Sequence, residues 1–89
     1  MRDISDKTTY ACLCCGFLTL AEPPPGTFAI CPVCFWEDDK VQAHDPSYEG
    51  GANEVSLNQA RASFARIGAC DPESLGGVRP PRDDERPPG

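Results

Sequence analysis

The sequence predicts a small α+β domain stabilised by a metal, built from two cysteine β-hairpins and one amphipathic helix. Three observations carry this. Cys12 and Cys15 form one C-x2-C pair, Cys31 and Cys34 form a second, and fifteen residues separate the pairs. β-prone residues bracket each pair. The stretch "SLNQARASFARIG" repeats its apolar residues at helical spacing and has signals for both ends.

The chain has 89 residues, which bounds it to one domain. A domain of this size buries a modest core and needs a staple. Ten prolines sharpen that need, and six cysteines are the obvious staple. The formal net charge of -6 argues against nucleic acid, because cations meeting phosphates supply most of that affinity. Arg61 and Arg66 lie about 140° apart on a helix and form no basic stripe. No run approaches the ~20 apolar residues of a membrane span, and the N-terminus lacks the apolar core of a secretory signal. The expected compartment is cytoplasmic, where thiols stay reduced and serve as metal ligands more often than as disulfides.

Residues 1–9 read as a polar lead-in and residues 10–70 as the folded domain. "TTYACLCCGFLTLAE" reads as a hairpin whose turn is the first cysteine group. "PPPGT" is a linker, since proline fixes φ and removes donors. "TFAICPVCFW" repeats the plan. "EDDKVQAHDPSYEGGANE" reads as a loop, with Asp45-Pro46 and Gly50-Gly51 as turn signals. Ser56 followed by Gln59 is a capping box. Leu57, Ala60, Phe64 and Ile67 then fall within about 80° of arc. Gly68 suits the C-terminal cap, and Pro72 follows. Residues 71–89 read as a proline-rich extended segment that adds little to a core.

The two pairs match a four-cysteine zinc signature, with Cys12, Cys15, Cys31 and Cys34 as ligands of one ion. A two-residue gap lets a tight turn aim both sulfurs at one point. Gly16 eases the chain out of the first turn. Phe35 stands at that place in the second, so the two turns need not be identical. A closed four-thiolate site is structural, not catalytic. The same set accepts iron as well as zinc. A disulfide scaffold lacks a secretory context, and a thioredoxin-like redox pair lacks its βαβ frame.

Three residues could carry more. Cys14, spaced wrongly for a ligand, reads as a small apolar turn residue, a reactive thiol or an exchanging ligand. Cys70 reads as a buried free thiol. His44 reads as an exposed loop residue, with a fifth ligand or a catalytic group as the sharper alternative. "FWEDD" reads as aromatic core followed by a solvated acidic loop, or as a docking surface. "EGGAN" lacks the spacing of a phosphate loop and reads as a turn. "VRPPR" suits a polyproline ligand or a strap along the domain.

The stretches "YACLCCGFLTL", "CPVCFWEDD", "YEGGANEVSLNQARASF", "GACDP" and "VRPPRDDE" resemble the bacterial cysteine-rich CPCC family over about Tyr10 to Glu85. The family's naming motif would place proline where this chain has Leu13. The resemblance implies a small zinc-ribbon-like protein and a C-terminal segment shared across the family.

The functional expectation is therefore a zinc-stabilised, non-enzymatic interaction module with a protein partner, monomeric or weakly dimeric. The alternatives are a thiol-linked sensor or enzyme using Cys14 with Cys70 or His44, and a zinc-ribbon nucleic-acid module.

Overall fold

The computed structural model describes residues 9–87. Apart from Thr9, the lead-in lies outside them. Strands β1 (Tyr10–Ala11) and β2 (Leu18–Leu20) pair antiparallel, with Tyr10 opposite Leu20 and Ala11 opposite Leu18. This is the first hairpin, and its turn carries Cys12 to Cys15. The second cysteine pair is framed more sparely, by a single antiparallel bridge from Ile30 to Glu37. Two further bonds, Phe28 N to Asp38 O and Asp38 N to Ala29 O, extend it. Phe28 has φ 58°. A residue in that region breaks the extended backbone, so the pairing does not grow into regular strands.

The stretch expected to be one long loop contains a helix, α1 (Lys40–His44). Too short for an apolar stripe, it is held by its cap. Asp39 Oδ1 accepts from the amides of Val41 (2.7 Å) and Gln42 (3.1 Å), and its Oδ2 accepts from Ala52 N at 2.8 Å. These bonds, led by the one from Ala52, hold the Asp39 carboxyl below its ordinary pKa. Asp38 accepts from Thr27 N and Thr27 Oγ1 at 2.9 and 2.8 Å. The solvated acidic loop expected at residues 37–39 is thus corrected. Asp38 and Asp39 are buried: three backbone amides replace water around Asp39, and an amide and a hydroxyl do so at Asp38 Oδ2, while Asp38 Oδ1 is buried without a partner.

Behind α1 the loop is wired to one side chain. The Gln42 carboxamide is fully buried. The two hydrogens of its nitrogen are shared among the carbonyls of Tyr48, Asn53 and Val55, and its oxygen accepts from Asn53 N and Nδ2. Asn53 in turn accepts from Glu37 N and donates to Glu37 O. The glycine pair has two different jobs here. Gly50 takes φ 87°, whereas a Cβ on Gly51 would lie 2.8 Å from both Asp39 Oδ2 and Gln42 Cδ.

Helix α2 (Leu57–Ile67) begins and ends as its sequence indicates. Ser56 Oγ accepts from Gln59 N, Gln59 Oε1 accepts from Ser56 N, and Gly68 closes the helix at φ 84°. Leu57 and Ala60 are buried, and Phe64 packs edge-on against Phe17 at 6.2 Å. Ile67 departs from expectation and stands exposed, while Ser63 is buried. Its angle on the helix is right. It lies about 15 Å along the axis from Leu57, at 1.5 Å per residue, in the last turn of the helix.

The proline-rich segment does more than trail. Two 3-10 turns interrupt it, at Pro72–Gly77 and Asp83–Glu85. Arg79 N donates to Pro32 O, and Glu85 is buried. The core is Cys12, Cys14, Cys31, Val33, Cys34, Trp36, Leu57, Ala60 and Cys70. It therefore lies between the two cysteine turns and α2. No helix among the described residues is long and apolar enough to cross a membrane.

Candidate metal centre

The two cysteine turns are closed by the same pair of backbone hydrogen bonds. In the first, Gly16 N donates to Cys12 O at 2.8 Å and Cys12 N to Phe17 O at 2.9 Å. In the second, Phe35 N donates to Cys31 O at 2.7 Å and Cys31 N to Trp36 O at 3.0 Å. Gly16 has φ 83° and Phe35 has φ 73°. The turns share one backbone path despite the change of residue, contrary to the latitude the sequence allowed. The bulky residue adopts the glycine conformation because the turn's two bonds leave no other exit for the chain.

This equivalence brings four sulfurs together. Cys12 Sγ lies 3.6 Å from Cys34 Sγ, and Cys15 Sγ lies 3.7 Å from Cys31 Sγ. All four lie within 4.8 Å of one another. A tetrahedron with metal–sulfur bonds of ~2.3 Å has sulfur–sulfur edges of about 3.8 Å. The observed spacing fits that geometry. Cys12, Cys31 and Cys34 are buried and Cys15 is half-buried, so the set is closed on itself. The cysteines selected by spacing are the ones the fold gathers, and together they can hold a metal ion.

The environment of the four thiols is uneven. Thr19 Oγ1 lies 3.1 Å from Cys31 Sγ, and Val33 N donates to the same sulfur at 3.4 Å. Hydrogen bonds from Cys12 first, then from Cys15, Cys34 and Thr19, favour the Cys31 thiolate and lower its pKa strongly against burial. The neighbouring thiols, Cys12 foremost, push Cys34 the other way. A metal would replace the protons the cluster shares, since only thiolates ligate. Thr19 escaped the sequence reading. Its signal was faint: a hydroxyl in a strand that leaves a cysteine turn.

The remaining candidates separate clearly. Aligning the turns places Cys14 opposite Val33, and both are buried. Cys14 thus fills the small apolar position of its turn, one place before ligand-spaced Cys15. Cys70 is buried in the same core cluster, with its amide donating to Cys34 O at 2.8 Å and its sulfur 3.7 Å from Ser74 Oγ. Burial pushes its thiol up to about 11. His44 is exposed at the end of α1 and stands outside the cysteine group. Cys14 and Cys70 share the buried core cluster, and exposed His44 is no part of it.

A family model described as "Cysteine-rich CPCC" matches residues 10–85 of the chain. No curated protein matches it.

Proposed function

We propose that this chain, which belongs to the cysteine-rich CPCC family, is a zinc-stabilised protein-interaction module that acts without catalysis. The observation carrying the reading is the closed set of Cys12, Cys15, Cys31 and Cys34. Four thiolates saturate a tetrahedral ion and leave no position for substrate or water, which is the pattern of a structural site. Among the described residues this is the only group of metal-ligating side chains gathered tightly enough to hold an ion. When bound, zinc supplies a cross-link between the two turns. The chain's own residues do the rest, with Thr19 and Val33 N holding the Cys31 sulfur in place.

The zinc-ribbon reading follows from the same parts. Each turn is bracketed by antiparallel pairing, one hairpin fully and the other through the Ile30–Glu37 bridge. The thiol-sensor alternative loses ground, because Cys14 and Cys70 are buried and the Cys70 thiol is raised. Thiolate character and access both govern thiol reactivity. A cytoplasmic location and a protein partner complete the reading.

Two measurements test it. Elemental analysis of purified protein should return one zinc per chain. Affinity capture from source cells should recover a protein that a Cys34→Ser substitution loses. If wild type and Cys34→Ser capture the same set of proteins, the interaction reading is refuted.

A further inference from the structure

Beside the second cysteine turn lies a groove of about 190 Å³. That is below the ~300–1,000 Å³ of small-molecule pockets, and it suits a protruding side chain. Ile30 and Phe35 form an apolar wall, exposed at 50% and 38%. Glu37, Glu54, Asp71 and Glu73 line the same groove, and no lysine, arginine or histidine does. Among the described residues, no ion pair engages Glu37, Glu54 or Glu73.

The wall is set in place at a cost. Phe35 holds φ 73° where its counterpart in the first turn is Gly16. Glycine takes that conformation freely, and a side chain does not. Gly77 lies close against the ring, where a Cβ would fall 2.8 Å from Phe35 Cε1. The chain therefore keeps an aromatic ring half out of the core, where the turn itself is best served by glycine. An aromatic face beside carboxylates that no ion pair engages among the described residues complements a cation carried on an apolar stem.

We infer that this groove docks a partner segment presenting a lysine or arginine beside an apolar residue, its alkyl stem on Ile30 and Phe35 and its charge among Glu37, Glu54 and Glu73. The inference deepens the interaction-module reading and rests on it. It assigns that module a surface and a partner chemistry.

The test is an amide NMR titration of the metal-loaded full chain with a synthetic peptide of alternating lysine and leucine. A glutamate–leucine peptide serves as control. The lysine peptide should saturably shift Ile30, Phe35, Glu37, Glu54 and Glu73. The shifts should weaken as salt shortens the screening length from about 10 Å at 0.1 M to 3 Å at 1 M. Phe35→Gly relaxes the turn, so the variant should keep its metal and a dispersed spectrum while binding about tenfold more weakly. A Glu37→Gln, Glu73→Gln double variant should weaken binding similarly and tests the charge independently of the turn. Equal shifts from the acidic peptide, or unchanged binding by both variants, overturn the proposal. If Phe35→Gly still captures every cellular protein that wild type captures, the groove is wrong and the module reading survives. A wild type that captures nothing sinks the module reading itself.

Discussion

The hydroxyl of Thr19 meets the sulfur of Cys31 at 3.1 Å, linking strand β2 of the first hairpin to a cysteine of the second turn. A donor at a ligand sulfur orients it and stabilises its charge. Thr19→Val keeps the shape and removes the donor. We expect the variant to fold and to bind zinc about 10–100-fold more weakly, read by competition with a chromophoric chelator. Unchanged affinity would show the contact to be incidental.

The alignment of Cys14 with Val33 separates two kinds of cysteine. Cys14→Val should cost under about 1.5 kcal/mol, as size-conserving core exchanges do, and should leave metal content unchanged. Cys12→Ser should lose the metal and with it the fold. Structural zinc contributes on the order of 10 kcal/mol or more, against a whole-domain stability of ~5–15 kcal/mol. Chelation should therefore collapse the amide spectrum of the wild type. A dispersed spectrum after complete metal removal would contradict this.

Acid should loosen the C-terminal segment. Arg79 Nη1 and Nη2 donate to the two Glu85 oxygens at 2.9 and 2.7 Å, and Arg82 N donates to Oε1 at 2.8 Å. The Arg79 bonds lower the Glu85 carboxyl from 4.5 to about 2. The folded pKa lies below the unfolded value, so this contribution is full above pH 4.5 and fades as pH falls towards 2. Acid also displaces metal from thiolates. The quantity to measure is thus the stability of wild type minus that of Glu85→Gln, which should shrink over that window. A difference that stays flat with pH would remove the ion pair from the account.

Two glycines should respond oppositely to alanine. Gly51→Ala places a methyl against Asp39 and Gln42 at 2.8 Å, and should cost about 1–3 kcal/mol through overpacking. At Gly76 nothing lies within 4 Å of the added carbon. There alanine should be neutral or stabilise by up to about 1 kcal/mol, through a less flexible unfolded chain. Thermal melts of the two variants check the sign.

The features legible in the sequence were those written in local spacing. C-x2-C pairs constrain their own turns, Ser56 and Gln59 announce the start of α2 within a single turn, and Gly68 announces its end. The features that escaped depend on distant partners. Helix α1 has no apolar periodicity to read, and it exists because Asp39 bonds Ala52 and Gln42 bonds residues 48–55. Burial of Asp38 required knowing that Thr27 returns to face it. Thr19 became a partner of Cys31 only when the two turns closed. The conformation of Phe35 ran against residue preference, because the turn's hydrogen bonds outweigh it.

The Gln42 carboxamide also has a bearing on how this chain can change over generations. Surface loops ordinarily absorb insertions at little thermodynamic cost. The segment from Tyr48 to Val55 offers no such slack, because three of its carbonyls must reach a single buried nitrogen. An added residue that moves any of these carbonyls would loosen its bond to that nitrogen. Length variation among descendants of this sequence should collect instead around Ala21 to Pro25, whose residues are largely exposed.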